Sequence, residues 1–140
     1  METTMPHRSL RVLVVEDCAD TRDSLSVLLQ RWGHRVDLAA DGPTALRCAA
    51  DNPPDVVLLD IGLPGMSGWD VAERLREDGG LRRAVVVALT GYGREEDRLH
   101  ARAVGCDHHL LKPVEPRALE EFLRFAGGHT HTCSSTTSLS

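Results

Sequence analysis

Short aliphatic runs alternate along the chain with longer amphipathic stretches. The runs are almost continuous in Val, Leu and Ala, which is typical of strands that are covered on both faces of a parallel sheet. They span residues 10–15, 36–40, 56–59, 84–89 and 109–111. The pattern therefore predicts five parallel strands.

The stretches after the first two runs predict helices. The first helix has one apolar stripe with i, i+3, i+4, i+7 spacing, formed by Leu25, Leu28, Leu29 and Trp32. Gly33 follows the stripe and is placed to end the helix, because glycine readily adopts the left-handed conformation found at helix ends. The second helix, over residues 42–50, ends before Pro53 and Pro54, which cannot continue a helix.

Three further helices are predicted. Ser67 and Asp70 have the spacing of a capping box at the start of the third, whose inward positions are Val71, Ala72 and Leu75. The fourth spans about residues 94–104 and ends at Gly105. The last begins near Pro116, a favoured residue of the first helical turn, and its apolar side is formed by Leu119, Phe122, Leu123 and Ala126.

A strand followed by a helix, repeated five times, indicates an α/β domain with a doubly wound parallel sheet. We place this domain at residues 9–127, after a flexible N-terminus at residues 1–8. Residues 128–140 contain no Asp, Glu, Lys or Arg and little apolar content, so we expect a disordered Ser/Thr-rich tail there. In doubly wound folds the chemistry lies at the carboxyl ends of the strands.

Composition argues against several classes of function. The 140 residues fit one domain, and a net charge of -5 provides no basic surface for nucleic acid or for an anionic membrane. The aliphatic runs are too short to span a bilayer. The four cysteines lack CxxC spacing, so we expect free thiols and a cytoplasmic location.

Polar residues follow or end four of the predicted strands. Glu16 and Asp17 follow the first strand, Asp60 ends the third, Thr90 ends the fourth, and Lys112 ends the fifth. Because the carboxyl ends of parallel strands meet at one edge of a sheet, we expect these five side chains to lie close together.

This set of residues suits phosphoryl chemistry. Three carboxylates that converge repel one another, and a hard divalent cation with oxygen ligands relieves the repulsion. Mg2+ is the expected ion, because it binds through one or two carboxylates together with a substrate phosphate. Asp60 can then act as a nucleophile on phosphorus, while Lys112 and Thr90 stabilise the charge of the phosphoryl group.

Four segments resemble the receiver domain of bacterial two-component response regulators. They are "VLVVED", "DVVLLDIGLPGMSGWD", "VVVALTGYG" and "GCDHHLLKP", in the order and spacing of that family, across about residues 10–126. The resemblance implies a flavodoxin-like (βα)5 fold with strand order 2-1-3-4-5. It also allows a cis peptide bond before Pro113.

The resemblance assigns a role to each matching position. Glu16 and Asp17 correspond to the acidic pair that binds the metal, and Asp60 corresponds to the phosphoacceptor. The backbone carbonyl of Gly62 would complete the metal shell together with these side chains. Thr90 would be the switch hydroxyl, and Lys112 would be the lysine that contacts the phosphoryl group.

One position departs from the family pattern. Receivers commonly carry Tyr or Phe three residues before the lysine as a conformational switch, and this chain has His109 there. A switch role for His109 is therefore a hypothesis, and a half-buried packing role is the alternative.

The resemblance also implies partners. The phosphoryl donor would be a histidine kinase or a histidine phosphotransfer protein, and the signal would pass to a downstream protein partner, with no direct contact to nucleic acid or membrane. The domain would promote its own phosphorylation and dephosphorylation and would not be an enzyme acting on other substrates. It could be a stand-alone receiver or part of a hybrid kinase.

Three other functions are compatible with the fold. A haloacid-dehalogenase-type phosphatase also uses an aspartate after a strand, but its D-x-D pattern would need an acid where Gly62 stands. A flavodoxin-like FMN carrier needs a hydroxyl-rich phosphate loop where this chain has Glu16 and Asp17. A degenerate receiver that serves only for docking would not need the reactive residues that are present here.

Overall fold

The computed structural model describes residues 9–63, 65–77, 84–91, 99, 103 and 106–128. Within these residues the strands are β1 (Arg11–Val15), β2 (Arg35–Ala39), β3 (Val56–Asp60), β4 (Val85–Thr90) and β5 (His108–Leu111). The helices are α1 (Ala19–Arg31), α2 (Gly42–Asp51), α3 (Gly68–Glu77) and α4 (Pro116–Gly128). Each predicted strand is confirmed, with ends that differ by one residue at most.

The helix α4 is the one that the sequence predicts as the last. The helix predicted at residues 94–104 lies outside the described residues except at Leu99 and Ala103, which are both helical. Residues 1–8 and 129–140, predicted as a flexible N-terminus and a disordered tail, also lie outside them. None of the described helices has both the length and the apolar character needed to cross a membrane.

All strands pair in parallel, in the order β2-β1-β3-β4-β5, which confirms the expected topology. The order reverses at β1, because the chain places β2 on one side of it and β3 on the other. Val15 at the end of β1 lies beside both Ala39 and Leu59, and Asp60 lies beside Leu89. The register thus aligns the carboxyl ends of the strands at the switch point.

Alternating residues of the sheet supply two hydrophobic cores. Leu13 and Val15 point into the core covered by α2 and α3, whereas Val12 and Val14 point into the core covered by α1 and α4. The edge strands β2 and β5 are more exposed than the sequence pattern predicts, since each has one paired neighbour instead of two. Burial on both faces holds for the central strands alone.

Two helix ends follow the sequence signals. Gly33 has a φ angle of 92°, and the amides of Gly33 and His34 donate hydrogen bonds to the carbonyls of Gln30 and Leu29 at the end of α1. At the start of α3, the Ser67 amide donates to Asp70 Oδ2 at 3.4 Å, and the Asp70 amide donates to Ser67 Oγ at 3.3 Å. The predicted capping box is therefore present, and it fixes where α3 begins after the loop that follows β3.

Candidate functional site

The sheet brings the predicted site residues to one edge. Glu16 follows β1, Asp60 is the last residue of β3, Thr90 is the last residue of β4, and Lys112 follows β5. Backbone hydrogen bonds extend the pairing past the strand ends: the Glu16 amide donates to the Ala39 carbonyl at 3.0 Å, and the Lys112 amide donates to the Thr90 carbonyl at 2.8 Å. The positions of these side chains therefore follow from the sheet itself.

Three carboxylates converge at this edge. One oxygen from each of Glu16, Asp17 and Asp60 lies within 4.8 Å of the other two. Glu16 and Asp60 are buried, at 1% and 4% exposure, whereas Asp17 is exposed. The expected acidic cluster is thus formed by two buried side chains and one that is exposed to solvent.

Lys112 lies between the two buried carboxylates. Its ammonium nitrogen is 3.1 Å from Asp60 Oδ1 and 3.5 Å from Glu16 Oε1. Desolvation, the largest influence, lowers the pKa of Lys112, but the hydrogen bond to Asp60 and the charges of Asp60 and Glu16 together raise it above its usual value. Lys112 is therefore a cation at neutral pH.

Glu16 is held by the backbone around it. Its Oε2 accepts a hydrogen bond from the Cys18 amide at 3.2 Å, and its carbonyl accepts one from Arg22 Nη1 at 2.9 Å. Its Oε1 is buried and makes no hydrogen bond among the described residues, although the Lys112 ammonium lies 3.5 Å away. Desolvation raises the pKa of Glu16; the Cys18 hydrogen bond opposes this shift, and the charge of Asp60 adds to it.

Asp60 is also held by the loop that follows β3. The Gly62 amide donates a hydrogen bond to Asp60 Oδ1 at 3.0 Å. Two donors, the Gly62 amide and the Lys112 ammonium, thus converge on one carboxylate oxygen. The resemblance implies a metal-binding role for the Gly62 carbonyl, and the contact made by the Gly62 amide was not predicted.

Thr90 and His109 lie on the neighbouring strands β4 and β5. Thr90 is 5% exposed at the end of β4, and His109 is half-buried opposite Ala88 in the β4–β5 pairing. His109 also lines an open groove of about 290 Å3 together with residues of β5 and α4. The Lys112–Pro113 peptide bond is cis, as the resemblance allows.

Arg22 is a residue of this site that the sequence did not indicate. Its guanidinium reaches back from α1 to the Glu16 carbonyl. An arginine in the first turns of a helix carries no sequence signal for such a contact, because solvated arginines are common at these positions.

Relatives of known identity match most of this chain. The response regulator PleD of Caulobacter vibrioides (strain NA1000 / CB15N) is 37% identical over 107 residues, which are 76% of this chain and 24% of PleD. The transcriptional regulatory protein KdpE of Mycobacterium tuberculosis (strain ATCC 25618 / H37Rv) is 40% identical over 112 residues, which are 80% of this chain and 47% of KdpE. The chain thus spans less than half the length of these curated relatives.

Solved structures share this fold over most of the chain. The chemotaxis protein CheY4 of Vibrio cholerae superposes with a TM-score of 0.81 at 30% identity, covering 85% of this chain and 99% of CheY4. The receiver domain of the sensor histidine kinase PA1611 of Pseudomonas aeruginosa PAO1 has a TM-score of 0.79 at 30% identity, covering 86% and 99% of the two chains. That receiver domain has a magnesium ion coordinated in its active site cleft.

The family described as the response regulator receiver domain matches residues 12–124, which include the five strands except the first residue of β1, and most of α4. The solved structures agree with the fold and the strand order of this chain. This chain therefore belongs to the response regulator receiver domain family of two-component systems.

Proposed function

We propose that this chain accepts a phosphoryl group on Asp60 from a histidine kinase or a histidine phosphotransfer protein. The observation that carries the proposal is the position of Asp60, a buried carboxylate that ends β3 within 3.1 Å of Lys112 Nζ and next to the acidic pair. Family membership argues for this function over the phosphatase and flavin alternatives. The experiment below distinguishes it from a receiver that only docks.

The hydrogen bonds of Asp60 suggest which oxygen reacts. Oδ1 already accepts from the Gly62 amide and the Lys112 ammonium. We assign the attack to Oδ2, which forms a bond to phosphorus while the bond from phosphorus to the donor histidine breaks. The pair of donors on Oδ1 holds the carboxylate still, and such orientation lowers the barrier because less freedom is lost on reaching the transition state.

The acidic cluster fits Mg2+ on two observations. The three carboxylates offer oxygen ligands within 4.8 Å of one another, and Glu16 Oε1 is a buried acceptor that makes no hydrogen bond among the described residues and has Lys112 Nζ 3.5 Å away. Glu16, Asp17, Asp60 and the Gly62 carbonyl would hold the ion. When bound, Mg2+ would neutralise carboxylate and phosphoryl charge.

The remaining residues act on the phosphorylated state. Lys112, a cation already beside Asp60, would pair with the phosphoryl oxygens. The Thr90 hydroxyl would donate a hydrogen bond to the phosphoryl group, and His109 is the candidate for the second switch position. Phosphorylation would then favour one of two conformations, which a partner protein distinguishes.

We also propose the domain limits, the location and the mode of output. The receiver domain would span residues 9–127. A cytoplasmic location is supported by the free thiols of Cys18, Cys48 and Cys106. Output through a protein partner is supported by the net charge of -5, which does not favour direct contact with nucleic acid.

The first test is the covalent product. With Mg2+ and acetyl phosphate, intact-protein mass spectrometry is expected to show one added phosphoryl group on the wild-type chain and none on Asp60→Asn. Asp23→Asn, which changes an exposed aspartate of α1, is the matched control and is expected to be labelled like wild type. Stoichiometric labelling of Asp60→Asn would refute the assignment of the phosphoacceptor.

A further inference from the structure

Gly68, the first residue of α3, packs against the backbone that carries Asp60. A Cβ atom at position 68 would lie 2.5 Å from the Asp60 carbonyl oxygen and 2.6 Å from the Ile61 Cα. Both atoms belong to the main chain, so neither can move away by a change of rotamer. The Gly68 amide also donates a hydrogen bond to the Ile61 carbonyl at 3.2 Å. The lack of a side chain at position 68 is what allows α3 to approach the end of β3 this closely.

The strand side of this contact is fixed by the sheet. Asp60 lies beside Leu89 in the β3–β4 pairing, and the Ile61 amide donates a hydrogen bond to the Leu89 carbonyl at 3.2 Å. Displacement of the Asp60–Ile61 segment by a methyl group at position 68 would therefore strain the hydrogen bonding of this segment to β4.

The helix side is fixed by the core. Three side chains of α3 are almost fully buried between the helix and the sheet: Val71, Ala72 and Leu75. Lifting the first turn of α3 would loosen this packing, which is as dense as that of other protein interiors. A side chain at position 68 thus has to displace either the phosphoacceptor or the helix.

We propose that Gly68 is a positioning residue for the phosphoryl transfer, and that it acts through the backbone of Asp60. The loop between β3 and α3 also carries Gly62, whose amide holds Asp60 Oδ1. A shift of Ile61 would therefore move the Asp60 carboxylate in two ways. It would displace the Asp60 main chain directly, and it would displace the Gly62 amide that donates a hydrogen bond to Oδ1. This inference rests on the proposed phosphoacceptor function.

The test compares Gly68→Ala with two controls. Gly42→Ala is the same substitution at the buried first residue of another helix, where the three atoms nearest the new Cβ all belong to the side chains of Met66 and Val71. Leu75→Ala removes a buried side chain from the apolar face of α3, two turns after Gly68. Each variant is studied at a temperature where circular dichroism shows it folded, with trimethylamine N-oxide added where needed. The readouts are the rate of labelling by acetyl phosphate with saturating Mg2+ and the 19F NMR signals of bound beryllofluoride.

We expect Gly68→Ala to be labelled at least about tenfold more slowly than wild type, because a misplacement on the order of 1 Å is enough for such a loss. Its bound-beryllofluoride signals are expected to shift. Gly42→Ala and Leu75→Ala are expected to keep the wild-type rate to within about twofold and to keep the wild-type signals, since a loss of stability alone does not move Asp60 in the folded molecules.

Three outcomes overturn the positioning role. They are wild-type labelling of Gly68→Ala, an equal loss of labelling in Leu75→Ala, and a Gly68→Ala chain that does not fold under any of these conditions, which would make Gly68 a requirement of the fold. A wild-type chain that takes no label overturns the proposed function itself. The two failures are therefore distinguishable.

Discussion

Glu16 and Asp17 are adjacent in the chain, yet only Glu16 is buried. Burying a carboxylate is costly unless hydrogen bonds and opposite charge compensate for the lost water. The Cys18 amide and the Lys112 ammonium supply this compensation to Glu16. Asp17 is exposed and keeps its hydration, so it adds negative charge to the cluster at little cost in desolvation.

The same loop carries an exposed thiol whose reactivity can be predicted. The Cys18 thiol lies at the N-cap of α1, where the amide and the hydroxyl of Thr21 favour the thiolate and lower the pKa of Cys18, although the side chain makes no capping hydrogen bond. In contrast, burial raises the pKa of Cys106 to about 11, and the charge of Asp107 adds to the effect. Because the thiolate is the reactive form, we expect iodoacetamide to modify Cys18 much faster than Cys106.

Peptide mapping by mass spectrometry after alkylation at mildly alkaline pH would measure both rates in the folded chain. The control is the same reaction in urea, where burial is lost and most of the difference between the two rates is expected to disappear. Equal rates in the folded chain would contradict the prediction.

At the scale of the elements, β5 connects the site to α4. Its backbone continues into Lys112, whose amide is bonded to the Thr90 carbonyl at the site. On the other side, the His108 ring stacks on Phe122 of α4 with ring centroids 4.8 Å apart and an angle of 20° between the planes. A movement of Thr90 would therefore be transmitted to β5 and α4 through direct contacts.

This connection predicts a spread of structural change on activation. Beryllofluoride, which mimics the phosphoryl group, is expected to shift amide NMR signals from about residue 94 to residue 123, in addition to those beside Asp60. The physical reason is a population shift toward a state in which Thr90 has moved toward the phosphoryl group.

Thr90→Ala is the informative comparison, since it removes the hydroxyl and keeps the carboxylates. It is expected to bind beryllofluoride and to show shifts near Asp60 alone. If the wild-type shifts are also confined to the strand ends, the chain is a passive phosphate acceptor without a switch.

At the scale of the whole molecule, the acidic site lowers the free energy of unfolding of the metal-free chain. The sheet brings two buried carboxylates and one exposed carboxylate together, and Lys112 is the one cation that the structure shows paired with them among the described residues. Like charges at this separation repel one another, so part of the stability supplied by the two cores is spent on holding the site together.

Mg2+ is therefore expected to raise the melting temperature of the wild-type chain by several degrees. A ligand that binds only the folded state stabilises it by about 2.7 kcal/mol at a hundredfold excess over its Kd. Asp17→Asn removes one exposed charge without a loss of packing, so it is expected to melt at a higher temperature without metal and to gain much less from Mg2+. Differential scanning calorimetry measures both effects.

The control for this experiment is NaCl at matched ionic strength, because general screening would stabilise both chains alike. No Mg2+-specific gain in wild type, or an equal gain in Asp17→Asn, would show that the three carboxylates do not share a cation.

The sequence by itself determined the order of the elements and the edge of the sheet where the chemistry lies. Aliphatic runs have a local signature, and the parallel direction of the strands then places Glu16, Asp60, Thr90 and Lys112 together without further information. The helix ends at Gly33 and at the capping box of α3 were predictable for the same reason, since each depends on residues within one or two turns.

Only the tertiary structure decided how the site is held. Three features of the site depend on residues that are distant in the sequence or separated by a loop. They are the burial of Glu16, the position of Lys112 between two carboxylates, and the approach of Gly68 to the Asp60 backbone. The degree to which β2 and β5 are exposed was likewise decided by their place at the sheet edges. Such contacts depend on differences in distance of a few tenths of an ångström and on side-chain rotamers. Tertiary packing sets both, and no local pattern of residue types specifies them.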